Sequence, residues 1–138
     1  IDAEVLDAFA GSGAVGLEAL SRGASHATFI EKHRVASKII SENIDLLGVG
    51  GSSKVIATSV NNWLETADSP KFDIIFADPP YHNEQLSTVK KLLGLLKVGG
   101  SMILSNSGRG GILEETGIVV VDNRSYSNAY ITLYRRDS

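Results

Sequence analysis

The sequence has no cysteine, a single tryptophan, three prolines, and no uninterrupted apolar stretch of membrane-spanning length in its 138 residues. Without thiols there are no disulfides, no thiolate nucleophile and no zinc–thiolate site, a composition compatible with a reducing compartment. Without a run of about 18 apolar residues there is no candidate transmembrane helix, and the first residues show no signal-peptide pattern. Positive charge is also in short supply: 13 Lys and Arg against 16 Asp and Glu leave a net charge of −3. Global attraction to nucleic acid is thereby excluded, and any such binding must rest on a local basic patch or on a segment outside this sequence. His26, His33 and His82 are scattered without metal-ligand spacing and belong to no nucleophile motif, so they read as surface or capping residues. With 43% hydrophobic residues and no charged or Pro-rich tract, residues 1–138 read as one globular domain. A cytoplasmic monomer without membrane or metal partners is expected. Ile1, not Met, stands directly before the first apolar run, so an N-terminal substrate-binding segment is expected to be missing.

What is present concentrates in Val5 to Leu20. A short apolar run ending in an acid, Asp7, is followed by a small-residue turn and an amphipathic pattern, which reads as strand, loop and helix of a nucleotide-binding α/β unit. Gly11 and Gly13 let the backbone approach a ligand where a Cβ would hold it away. Gly16 falls on the helix, where a missing side chain permits tight packing on the strand. The next apolar run, Ala27 to Ile30, ends in Glu31, a carboxylate placed to take both hydroxyls of a ribose.

The chain continues as alternating strand and helix. Strands are expected at about 4–8, 26–30, 54–57, 72–77 and 101–105; between them a first helix runs from the glycines to Ser21-Arg22-Gly23, and others from about 34 to 47, 61 to 67 and 84 to 97. In the second helix Ala36, Ile40, Asn43, Ile44 and Leu47 fall near one face. In the fourth, Leu86, Val89, Leu93 and Leu96 follow helical spacing, and Gly99-Gly100 then turns into the next strand. Phe72 to Ala77 has the continuous apolar character of a central parallel strand buried on both faces. Residues 117–122 and 129–135 form an antiparallel hairpin, Ile131 and Leu133 alternating with Tyr130, Thr132 and Tyr134. The fold class is therefore α/β: a doubly wound, mostly parallel sheet of seven strands with an antiparallel C-terminal hairpin.

Two chemistries compete for the glycine loop. Gly11 to Gly16 matches GxGxxG, and Glu31 lies 20 residues beyond Gly11, as in dinucleotide-binding folds. Those folds, however, place the first glycine almost directly after the strand, so that a pyrophosphate rests on the helix N-terminus. Here Asp7 to Ala10 intervene, and an acid at that strand end repels a pyrophosphate. Asp7 suits a cationic group instead, such as the amine of a methionine moiety, and S-adenosylmethionine combines that amine with a sulfonium and a ribose.

Asp78-Pro79-Pro80-Tyr81 decides between them. The tetrapeptide follows a central strand and so projects at the same sheet edge as Gly11 and Glu31. Methyl transfer to an exocyclic amine must overcome delocalisation of the nitrogen lone pair into the ring. The Asp78 carboxylate and the Pro79 carbonyl can accept hydrogen bonds from the NH2 and bias the lone pair towards a methyl donor. Neither proline has an N–H, so acceptors face the amine, and Tyr81 offers a flat surface to an unstacked base.

These stretches, Asp7 to Ala24, Phe29 to Glu31 and Phe72 to Tyr81, resemble the bacterial methyltransferases that modify guanine N2 in small-subunit (16S) ribosomal RNA. The resemblance implies a Rossmann-like class I methyltransferase fold using S-adenosyl-L-methionine, with ribosomal RNA or a small ribosomal subunit particle as partner. It implies cofactor contacts from Asp7, Phe9, Ala10, Gly11, Ser12 and Gly13 around the methionine part, Glu31 and Lys32 at the ribose, and Ser59 and Val60 at the adenine. Asp78, Pro79, Pro80 and Tyr81 would meet the target amine, with Asp78 also near the cofactor. Family members carry a basic, helix-containing segment before the first strand, absent from this sequence. They often have an acid after the fifth strand, where this chain has Ser105-Asn106-Ser107. A DNA adenine-N6 methyltransferase and a noncatalytic cofactor-binding module are the alternatives; the first lacks a target-recognition insertion, and intact Asp78 and Tyr81 speak against the second. Trp63 reads as core, Glu114-Glu115 as a solvated face, and Arg109, Arg124, Arg135 and Arg136 as scattered surface cations.

Overall fold

The computed structural model describes residues 2–66, 71–79, 86–106, 113–126 and 130–138. In chain order the elements are β1 (Glu4–Ala8), α1 (Ala14–Ser21), β2 (His26–Ile30), α2 (Arg34–Leu47), β3 (Ser53–Ile56), α3 (Val60–Leu64), β4 (Phe72–Ala77), α4 (Leu86–Leu93), β5 (Leu96–Asn106), β6 (Ile118–Ser125) and β7 (Tyr130–Arg136). The strands form one seven-stranded sheet in the order β3-β2-β1-β4-β5-β7-β6. Strands β1 to β5 are parallel, and β7 runs antiparallel between β5 and β6. The chain lays strands outward from β1 in one direction, then resumes at β4 in the other. The crevice outside the carboxyl ends of β1 and β4 is thus the switch point where doubly wound sheets bind ligands.

Alternating residues of the central strands feed two core clusters. Val5, Ala27 and Phe29 pack with Leu17, Ile40 and Ile44 of α1 and α2. Leu6, Ile30, Ile75 and Ala77 pack on the other face with Val89, Leu92 and Leu93 of α4. Gly48 ends α2 in a left-handed conformation, which glycine adopts without steric cost. Among the described residues, no helix is long and apolar enough to cross a membrane.

Several expectations need correction. The fourth helix stops at Leu93, four residues before the expected end, because Leu96 is claimed by the sheet, where it pairs with Phe72. The register then shifts: Phe72 faces Leu96 but Ile74 faces Ser101, so Gly99 and Gly100 lie within an irregular part of β5 and do not precede it. A Cβ on Gly100 would lie 3.0 Å from both the Phe72 and Asp73 carbonyl oxygens, which is why glycine stands there. Leu47, expected on the packed face of α2, is 61% exposed. A 14-residue helix is about 21 Å long against about 13 Å for the four-residue edge strand β3, so its last turn runs past the sheet.

Finally, β4 is sealed on one face only. Phe72, Ile75 and Ala77 are buried, but Ile74 and Phe76 are half-buried. On that side Ile74 and Phe76 pack only partly against the cluster that holds Leu17, Ile40 and Ile44, and an apolar groove of about 400 Å³ is lined by Val15, Ala19 and Phe76. In the hairpin the buried set is Thr132 and Tyr134; Ile131 and Leu133 are half-buried on the opposite, partly open face. Residues 123–125, expected in the connection, extend β6.

Candidate functional site

Beyond β1 the backbone turns sharply. Phe9 has φ +58°, the left-handed region, costing a non-glycine residue about 1–2 kcal/mol. The surrounding hydrogen bonds hold it there. Ala10 N–H donates to the Ile30 carbonyl at 2.9 Å, and Gly13 N–H donates to the Ala10 carbonyl at 2.9 Å. Gly11, φ +59°, donates its N–H to Glu31 Oε1 at 2.9 Å. The other Glu31 oxygen, Oε2, accepts from His33 N–H at 2.8 Å. Glu31 is therefore a clip between the loop after β1 and the start of α2, and it is only 7% exposed. Each carboxylate oxygen has a second lone pair, so the clip leaves acceptor capacity for a ligand diol.

Asp7, expected beside a ligand amine, is 4% exposed and turned towards the loop's own backbone: Oδ2 accepts from Gly16 N–H at 3.0 Å. Burial pushes its carboxyl up to about 7, against the lowering effect of the Gly16 hydrogen bond and with help from the negative charges of Asp78 and Glu31. Gly16 is required by packing, since a Cβ there would lie 2.4 Å from Phe29 Cε1. Gly13 is buried as well, and its Cβ would meet Ile40 Cγ1 at 3.1 Å. Of the two glycines expected to admit a ligand, Gly11 faces open space, whereas Gly13 is closed off by Ile40 of α2; Gly16, expected to permit tight packing on the strand, does so against Phe29 of β2.

At the switch point lies a cavity of about 420 Å³, within the usual size range for small-molecule sites. The end of β1 contributes Phe9, and the end of β2 contributes Ile30, Glu31, Lys32 and His33. The segment after β3 adds Thr58, Ser59 and Val60, and β4 adds Asp78 and Pro79. Seven residues singled out from sequence, Phe9, Glu31, Lys32, Ser59, Val60, Asp78 and Pro79, thus share one wall. Ala10, Gly11, Ser12 and Gly13 build the adjoining loop. Pro80 and Tyr81 lie outside the described residues, as do His82 and Arg109.

Sequence reasoning missed Ile30, His33 and Thr58 as lining residues. Their signal was only adjacency to Glu31 and Ser59. His33 does occupy the N-cap position of α2, as a capping reading expects, but its side chain makes no cap bond. Ser59 does cap its helix, Oγ accepting from Asn62 N–H at 3.1 Å. Trp63 packs on Phe72, ring centroids 6.2 Å apart, in the core role expected of it. Arg124 pairs with Asp122 at 2.9 Å, Arg135 with Asp137 at 2.7 Å, and Arg136 donates to the Leu96 carbonyl at 2.6 Å. These cations are engaged locally.

The chemistry of the wall is selective. Two carboxylates, Glu31 and Asp78, stand among apolar surfaces from Phe9, Ile30, Val60 and Pro79, with Lys32 as the flanking cation. This lining suits a ligand with a flat apolar part, a diol and a positive charge. It does not suit a pyrophosphate, which needs unopposed backbone donors and no neighbouring acids.

Residues 1–135 match the family model described as Conserved hypothetical protein 95. Ribosomal RNA small subunit methyltransferase D of Escherichia coli (strain K12) is 41% identical over 93 residues, 67% of this chain and 46% of that protein. The chain thus spans about half the length of the curated relatives it matches. A crystal structure of a candidate methylase from Haemophilus influenzae superposes with a TM-score of 0.91 at 27% identity, covering 99% of this chain and 88% of that one. A candidate methyltransferase from Escherichia coli gives 0.90 at 30% identity, covering 100% and 77%. The fold expected from sequence, Rossmann-like class I with antiparallel C-terminal strands, is the fold these structures share with this chain.

Proposed function

The chain belongs to the family described as Conserved hypothetical protein 95, and from that premise we propose that it is an S-adenosyl-L-methionine-dependent methyltransferase acting on an exocyclic nucleobase amine, guanine N2 of 16S ribosomal RNA. The observation that carries the reading is the single cavity joining Glu31, at the end of β2, to Asp78 and Pro79, at the end of β4. One end offers a diol acceptor; the other offers acceptors for an amine. The name of the Escherichia coli relative supports ribosomal RNA as the substrate.

When bound, the cofactor supplies an electrophilic sulfonium methyl. The residues of the chain do the rest. Glu31 would accept from the ribose hydroxyls while keeping its backbone clip, and Thr58, Ser59 and Val60 would border the adenine. Asp78 and the Pro79 carbonyl accept from the target NH2 and turn its lone pair towards the methyl, a preorganised electrostatic contribution. Transfer breaks the S–C bond, forms the C–N bond and leaves one surplus proton on nitrogen. Asp78 is exposed, so a proton taken there passes to water. Tyr81 stacks on the extruded base.

The test is direct. Full-length protein is incubated with methyl-labelled cofactor and, separately, DNA, protein-free ribosomal RNA and small ribosomal subunits, followed by digestion to nucleosides. Label in N2-methylguanosine from RNA or subunits is expected. Label in N6-methyladenine from DNA, or none with any substrate, would overturn the proposal.

A further inference from the structure

Phe9 is the one residue of the cavity wall held in a backbone conformation that its side chain disfavours. Such outliers persist only where neighbouring structure enforces them, and they concentrate where position matters to function. The enforcement is visible in the hydrogen bonds that Ala10 and Gly11 make to Ile30 and Glu31. The ring is half-buried, packed against the core cluster that contains Leu6 and Ile30, with its remaining surface on the cavity. In the sheet, β1 lies between β2 and β4, so Phe9 stands between Glu31 and the Asp78-Pro79 pair. A sulfonium bonded both to the ribose C5′ and to the methyl that must reach the amine lies between those same two ends.

We propose that Phe9 is a specificity-determining residue whose ring face receives the sulfonium, so that the cavity prefers the charged methyl donor to its neutral thioether product. This rests on the cofactor assignment made above and deepens it. An aromatic face attracts a cation through its quadrupole and gains far less from a neutral sulfur. Glu31 and Asp78 add negative potential to the same cavity, but they act on any cation in it. The ring is the part that an aliphatic side chain of similar size cannot replace. The consequence is functional: after transfer the product loses this attraction and leaves more readily.

The experiment measures dissociation constants of S-adenosylmethionine and S-adenosylhomocysteine by calorimetry for the parent, Phe9→Leu and Phe9→Tyr. In Phe9→Leu the donor should weaken by about three- to thirty-fold while the product changes less than about twofold. Phe9→Tyr, which keeps the ring, should retain the parent ratio and shows that the position tolerates substitution. Equal weakening of both ligands in Phe9→Leu, or an unchanged ratio, would overturn the proposal, because a ring that only packs against adenine treats the two alike. Failure of the parent to bind either compound would instead overturn the cofactor assignment, so the two failures are distinguishable.

Discussion

Two aspartates end neighbouring strands at the same sheet edge, and the structure treats them in opposite ways. Asp7, the penultimate residue of β1, is turned inward, is nearly inaccessible, and holds the N-terminal turn of α1 through Gly16. Asp78, one residue past β4, is exposed on the cavity wall. Position along the strand accounts for the contrast. Asp7 lies within β1, which is flanked by β2 and β4, and the loop that follows folds Gly16 back onto its carboxylate. The chain after β4 continues into Pro79, whose ring removes a donor and keeps the segment out of a helix there. A shared edge therefore does not imply a shared environment: the enclosed acid braces the loop, and the other is open to the cavity.

The comparison is broken most forcefully at Asp78. Asp78→Asn keeps the size but lets an amide NH2 face the target amine, so transfer in a single turnover at saturating cofactor should slow by about 10²–10³, or roughly 3–4 kcal/mol. Its thermal stability should stay within about 0.5 kcal/mol of the parent, as for exposed positions generally. Transfer at the parent rate would mean that the amine is held by something else.

At Asp7 the expected effect is on stability and its pH dependence. The folded carboxyl titrates near 7 and the unfolded one at 3.8, so between those values the folded state keeps a proton that the unfolded state has released. The contribution is most favourable below about pH 4 and declines as pH rises to about 7. Asp7→Asn is neutral throughout and keeps a carbonyl for Gly16 N–H. From pH 4 to pH 8, without cofactor, its stability should therefore gain on the parent's by on the order of 2–4 kcal/mol. Denaturant titrations at the two pH values decide it; a difference independent of pH contradicts the burial of a protonatable Asp7.

Gly16→Ala sharpens the same contrast from the donor side. The new methyl would overlap the Phe29 ring at 2.4 Å and crowd Asp7 Oδ2 at 3.2 Å, for a loss of about 1–3 kcal/mol measured by thermal or denaturant unfolding. An unchanged midpoint would show that α1 has room to move off β2.

Much of this organisation is legible in the residues, and the exceptions have physical causes. Val5 to Ala8, the glycine loop and Glu31 are local signals of strand, turn and strand end, and the structure keeps their boundaries. Leu96 was ambiguous in principle: it continues the helical series from Val89 and Leu93, and only its pairing with Phe72, distant in sequence, makes it a strand residue. Leu47 obeys the period of α2, but periodicity carries no information about where the sheet beneath ends. At the site, residue types identify Glu31 and Asp78 as acids at strand ends. They do not reveal that both Glu31 oxygens are engaged by backbone N–H groups, nor that Asp7 faces Gly16, because those partners are set by the loop's three-dimensional path.

The central claim, that the switch-point cavity holds an S-adenosyl cofactor through Glu31, is tested most directly by calorimetric titration of the parent and Glu31→Ala with S-adenosylhomocysteine and with a nicotinamide dinucleotide. The parent should bind S-adenosylhomocysteine in preference to the dinucleotide. Glu31→Ala, losing the ribose acceptor and the clip to Gly11 and His33, should bind it at least about tenfold more weakly, a cost of roughly 1.5–3 kcal/mol. Unchanged affinity in Glu31→Ala, or a parent that prefers the dinucleotide, would contradict the account.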